Sequence, residues 1–143
     1  MMKRITSVAL FAAALTAVLP LAFAGGKSKS EKPERIAFGE KVSLADHAVA
    51  GKTTVFDFTS EYCPPCRAIA PRLDALHEQR DDIVVVAVDI NRPDVRGIDW
   101  SSPVAEQYSI RSVPQFKVYG PDGKLQAEGK KAQELVFGWL SKL

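Results

Sequence analysis

Two residues separate the only two cysteines of this 143-residue chain, and both are prolines: Cys63-Pro64-Pro65-Cys66. That spacing brings two sulfurs close enough to cycle between dithiol and disulfide, and with no other cysteine present it is the whole thiol chemistry of the molecule. The flanking residues constrain the fold. Val55-Phe56-Asp57-Phe58 before the pair and Arg67-Ala68-Ile69-Ala70-Pro71 after it read as strand, turn and helix. In that setting a C-x-x-C pair points to redox chemistry and not to a metal knuckle. A bridge over two intervening residues closes a tiny loop and gains little stability from closure, so the spacing suits exchange better than a structural staple.

The N-terminus reads as a secretory leader. Lys3-Arg4 is a basic head, Ile5 to Leu21 is mostly apolar and uncharged, and Ala22-Phe23-Ala24 is an A-x-A cleavage signal. Cleavage after Ala24 is expected, leaving no stable membrane insertion. The destination is the periplasm or another exported, oxidising compartment, where a disulfide persists. The expected domain order is leader 1–24, a flexible polar tether 25–35 and one folded domain 36–143. Without the leader 119 residues remain, enough for a single core. Of 19 Lys and Arg, two lie in the leader, so 17 face 17 Asp and Glu in the mature chain. A net charge near zero argues against a nucleic-acid surface or a polybasic membrane patch.

The folded part alternates strand and helix signals. Ile36-Ala37-Phe38 is a short candidate strand, and Ser43 could cap a helix over 44–50 closed by Gly51. Thr53 to Phe58 is a strand, and Pro64 to Arg80 a helix with Ile69, Leu73 and Leu76 at helical spacing and Pro71 expected to kink it. Ile83 to Val88 is a continuous apolar run, as expected of a central strand covered on both faces. Ser101 or Ser102 caps a short helix through Tyr108. Phe116 to Tyr119 and Lys124 to Ala127 form a hairpin about Pro121-Asp122-Gly123, and a last helix spans Ala132 to Lys142. Helices between strands give parallel pairs, and the terminal hairpin adds antiparallel ones, so the class is α/β with a mixed sheet between helices.

Over residues 36–143 the chain resembles the thioredoxin family. Asp57 lies six residues before the first cysteine, where that family carries a buried acid; Cys63-Pro64-Pro65-Cys66 matches the active-site pair; Pro71 matches the helix proline; and Val113-Pro114 matches the cis-proline loop. The chain departs from the family pattern in having C-P-P-C for C-G-P-C, Tyr62 and Thr59 where tryptophans are usual, and Ala87 where many members place a lysine near the acid. It also has extra residues from Arg92 to Ser102. The resemblance implies a three-layer α/β/α thioredoxin fold with a central mixed β-sheet, and a protein-disulfide oxidoreductase needing no cofactor and no metal.

The implied roles are specific. Cys63 is the nucleophile, at a helix N-terminus that stabilises a thiolate. Cys66 is the resolving thiol, which closes the Cys63–Cys66 disulfide. Asp57 is the proton acceptor for Cys66, with a raised pKa. Tyr62, Pro64, Pro65, Val113 and Pro114 bind substrate, the last two by exposing backbone for strand-like pairing. Pro64 and Pro65 lack N–H groups, so the Cys66 amide is the main donor left for the Cys63 sulfur. With no histidine between the cysteines, the site favours a reductant or isomerase-like role over a strong oxidant. The expected partners are protein thiols and disulfides and a redox protein that recycles the pair, with the protein itself a monomer. The alternative is a thioredoxin-fold adaptor or soft-metal chaperone using the C-x-x-C to bind; Asp57 and Val113-Pro114, which metal binding does not require, favour the enzyme. His47 and His77 read as surface or structural residues, and Trp100 as either a partner contact or a packing anchor.

Overall fold

The computed structural model describes residues 27–143; the expected leader 1–24 lies outside the described residues. Five strands form one sheet in the order β1-β3-β2-β4-β5, with β1 at Glu34–Ile36, β2 at Thr53–Thr59, β3 at Ile83–Asp89, β4 at Gln115–Tyr119 and β5 at Leu125–Glu128. β1, β3 and β2 run parallel, and β4 and β5 are antiparallel additions. Helix α1 is Pro64–Gln79, α2 is Pro103–Gln107 and α3 is Gly129–Leu140.

Alternation along the strands divides the core in two. Val55 of β2, Ile83 and Val85 of β3, and Phe116 and Val118 of β4 point to one face, where Ile69, Leu73 and Leu76 of α1 and Ala132, Val136 and Leu140 of α3 cover them. Phe56, Phe58, Val84, Val86 and Val88 point to the other, under Val104 and Ala105 of α2. β3 is apolar from Ile83 to Val88 because it has helices on both sides. The three-layer α/β/α arrangement expected from the sequence is the one observed.

Several boundaries differ from expectation, the first two along the chain for a visible local reason. The strand expected at 36–38 ends at Ile36. A tight turn follows, with Ala37 at φ 76° and the Phe38 N–H donating to the Ile36 carbonyl at 3.1 Å. The helix expected over 44–50 is one 3-10 turn, Leu44–His47, and Ser43 makes no side-chain cap; the Val49 N–H leaves the helical path for Thr54 Oγ1 at 3.0 Å. The last helix starts at Gly129 and ends at Leu140.

The segment expected as a tether is laid on the domain in its described part. Glu34 and Arg35 belong to β1, so the folded part begins before residue 36. Lys29 Nζ donates to the carbonyls of His77 (2.5 Å) and Arg80 (2.8 Å). The last carbonyls of any helix lack partners, and a lysine ammonium is suited to take them.

Candidate active site

α1 begins at the redox pair. Cys63 is its N-cap and Pro64 and Pro65 form its first turn, where the missing N–H groups would be unpaired in any case. Cys63 and Cys66 are both buried and joined as a disulfide, with Cα atoms 5.2 Å apart. The Cys66 N–H donates to Cys63 Sγ at 3.2 Å, the donor expected to remain once the prolines have removed theirs. Tyr62, Pro64 and Pro65 are all exposed around the pair. Pro71 sits inside a helix that continues unbroken to Gln79.

A second segment meets this turn from the sheet. The Val113-Pro114 bond is cis, and the Val113 carbonyl oxygen lies 3.6 Å from Cys63 Sγ. Val113 and Pro114 are both half-buried, so the loop presents backbone at the sulfur.

Asp57 is in the middle of β2, between β3 and β4, and is 4 % exposed. It points to the α1 face. Its Oδ1 has no hydrogen-bond partner. Burial pushes its pKa from the ordinary 3.8 to about 7, against the opposing field of Arg35. A strand-edge acid facing water would show none of this. The carboxyl borders a cavity of about 280 Å³ shared with Ala70 and Leu73 of α1. Ala70 follows Cys66 by one helical turn, so acid and inner cysteine address the same side of the helix.

A polar network missed in the sequence braces the turn before Cys63. Ser60 Oγ accepts the Tyr62 N–H at 3.2 Å and donates to Asn91 Oδ1 at 2.6 Å. Asn91 in turn donates to the Gly97 carbonyl at 2.5 Å, and Arg92 pairs with buried Asp99 at 2.7 Å. The extra residues after β3 are thus an ordered loop tied to the active-site turn. Asn91-Arg92 next to an aspartate seven or eight residues on was the available signal, but nothing in it named Ser60. Trp100, on this loop, is 39 % exposed and so is no buried packing anchor. Among the described residues no cluster of three or more His, Cys, Asp and Glu could hold a metal, and no helix is long and apolar enough to cross a membrane.

The thioredoxin family model matches residues 37–141. The chain belongs to the thioredoxin family. It is 40 % identical over 91 residues to the chloroplastic thioredoxin F1 of Arabidopsis thaliana, covering 62 % of this chain and 47 % of that protein. The chain spans about half the length of the first curated thioredoxins it matches. Among solved structures, thioredoxin f from spinach chloroplast (short form) superposes with a TM-score of 0.56 at 22 % identity, over 80 % of this chain and 96 % of that one. A thioredoxin f2 seen in complex with ferredoxin:thioredoxin reductase matches with a TM-score of 0.52 at 26 % identity, over 78 % and 96 %.

Proposed function

We propose that this thioredoxin is an exported thiol–disulfide oxidoreductase that exchanges electrons with protein disulfides through Cys63 and Cys66. The observation that carries the reading is the seating of the pair at the N-terminus of α1 against the Val113 carbonyl. In the reduced protein the Cys63 thiolate attacks a partner disulfide. A bond forms between Cys63 and one partner sulfur, and the other partner sulfur leaves as a thiolate. Cys66 then gives its proton to Asp57, and its thiolate attacks Cys63 Sγ. The mixed disulfide breaks, the second partner sulfur leaves, and the Cys63–Cys66 disulfide is regenerated. Two electrons pass from the dithiol to the partner, whose two thiolates take protons from Asp57 and water.

The partner chain lies along Val113-Pro114 by backbone pairing, bordered by Tyr62, Pro64 and Pro65. One N–H at the Cys63 sulfur stabilises the thiolate modestly, which supports a reductant or isomerase-like direction. A second redox protein restores the dithiol; the complex of thioredoxin f2 with its reductase supports a protein in that role. Export rests on the leader-like residues 1–24.

The test is reduction of insulin disulfides by the dithiothreitol-coupled protein, with mixed-disulfide trapping. Cys66→Ser should trap a partner through Cys63, and Cys63→Ser should trap little; equal trapping by the two would overturn the assignment. Mass spectrometry of the secreted protein should show Gly25 at the N-terminus, and an intact leader in a membrane fraction would remove export from the reading.

A further inference from the structure

Arg35, Ala87, Asp57 and Phe116 form one row across four strands on the α1 face of the sheet. Arg35 of β1 is the register partner of Ala87 of β3, Ala87 is the partner of Asp57 of β2, and Asp57 is the partner of Phe116 of β4. Adjacent strands are about 4.8 Å apart, so the Cα atoms of Arg35 and Asp57 stand roughly 10 Å from one another. An arginine side chain spans most of that distance if nothing tall stands between, and only the methyl group of Ala87 does. The space above that methyl is the cavity of about 280 Å³, which Arg35 and Asp57 both line and whose mouth carries exposed Asp74 of α1.

The two ends of the row are unequally served. Asp57 has an oxygen without a partner. Arg35 is bonded to Asp89 at the end of β3, with Nε at 3.0 Å and Nη2 at 2.9 Å, both to Oδ2. The other oxygen of Asp89 is held by the Asn91 N–H at 2.9 Å, so Asp89 keeps a fixed place whether or not the guanidinium stays. The arginine side chain is 43 % exposed, which leaves it room to turn.

We propose that Arg35 is a positioning residue for the proton step: its guanidinium is shared between Asp89 and Asp57, turning over Ala87 to the Asp57 carboxylate when that group is ionised and back to Asp89 when it is protonated. The proposal rests on Asp57 being the proton acceptor of Cys66. Proton transfer from the Cys66 thiol to the Asp57 carboxylate removes the negative charge that held the guanidinium, and Arg35 returns to the pairing seen beside the disulfide. No electron moves in this step. The charged groups facing Asp57 are Arg35 from β1, Asp89 behind it on β3 and Asp74 from α1; the neighbour on β4, Phe116, is uncharged. Both acids oppose ionisation of Asp57, and Arg35 alone favours it. Arg35 thereby sets the pH range in which Asp57 can accept the Cys66 proton.

The experiment is a carbon-13 NMR titration of the Asp57 carboxyl in the full-length mature protein, held oxidised so that no thiol titrates. Arg35→Met should raise the midpoint by about one pH unit, and Arg35→Lys should restore most of it. Asp89→Asn breaks the same ion pair but frees the guanidinium, so it should lower the midpoint. In the Arg35→Met/Asp89→Asn double variant that lowering should disappear. An ion pair that merely fastens β1 to β3 would move both single variants the same way or neither, and that result overturns the proposal. A lowering that survives in the double variant also overturns it, because the effect would then come from Asp89 directly. The pH profile of insulin reduction separates the two levels. A profile unchanged in Asp57→Asn removes Asp57 from catalysis while leaving the titration result standing. A midpoint unmoved in Arg35→Met removes Arg35 while leaving Asp57 in place.

Discussion

His77 and Asp57 are ionisable side chains buried on the α1 side of the sheet, and the fold treats them oppositely. His77 on α1 is 0 % exposed and uses both ring nitrogens: Nδ1 accepts the Val85 N–H at 3.0 Å, and Nε2 meets the Ser30 carbonyl at 2.9 Å. Because Nδ1 accepts, Nε2 carries the proton and donates, which fixes one neutral tautomer. β1 pairs only with Val86 to Val88, so the Val85 N–H would otherwise be left without a partner. Asp57 is as deeply placed, but one of its oxygens meets nothing. A buried polar group with its bonds made holds neighbouring segments in place. One left short is held near the point of changing its protonation state. The contrast makes His77 part of the architecture and supports the proton-acceptor role proposed for Asp57.

The largest expected effect lies on the architectural side. His77→Ala should cost about 3–4 kcal/mol, from a cavity and an unpaired Val85 N–H, read as a fall in urea midpoint at constant slope. The pH midpoint of disulfide reduction should not move with it; if it moves, His77 is not simply a strut.

Asp57→Asn should do the reverse, gaining stability and losing rate. The folded-state pKa of Asp57 is raised to about 7 from 3.8. The native protein therefore binds this proton more tightly than the unfolded chain does. The stabilising contribution is complete below about pH 4 and is lost as pH rises through 7. The variant should accordingly be more stable than the parent by roughly 4 kcal/mol at pH 8 and nearly equal to it at pH 4. Turnover should fall more near neutrality than at high pH, where Cys66 loses its proton unaided. A stability difference that is the same at pH 4 and pH 8 would show that Asp57 does not titrate in this range.

A smaller effect tests the segment before β1. Lys29→Ala removes two donors from the last carbonyls of α1 and should cost roughly 0.5–1 kcal/mol, again by urea unfolding. No change would mean that the Lys29 bonds to the end of α1 add nothing to the domain.

The smallest effect carries the comparison to the other end of α1, where the Cys63 sulfur is itself short of donors. Pro64→Gly should restore an N–H and lower the Cys63 pKa by about half a unit. It should also raise the reduction potential, because the donor favours the thiolate and glycine gives the open dithiol more conformational freedom. A thiolate-absorbance titration beside a glutathione equilibrium measures both, and a lower potential than the parent's contradicts the argument.

Much of this was legible in the chain. β2, α1 and β3 fall within a residue of their expected ends, because alternation, helical spacing and an apolar run are strong local signals. Asp57 is legible as an acid on an apolar strand, and it is buried and under-bonded in the fold. Arg35 carries no such local signal. It sits in a polar stretch that looks like a tether, and only the three-residue pairing of β1 with β3 brings it into the row of Asp57. Ala37 and Phe38 continue an apolar pattern yet take positive φ, which no residue type there announces.

The sequence alone determined the elements and the reactive pair, since periodicity, proline placement and a C-x-x-C at a strand–helix junction act over a few neighbouring residues. The tertiary structure decided which buried polar groups would be satisfied. Val85 meets His77, Ser60 meets Asn91, and the space over Ala87 stays open between Asp57 and Arg35. Hydrogen-bond satisfaction and burial depend on groups distant in the chain arriving at the same place, and strand order and register fix that arrival.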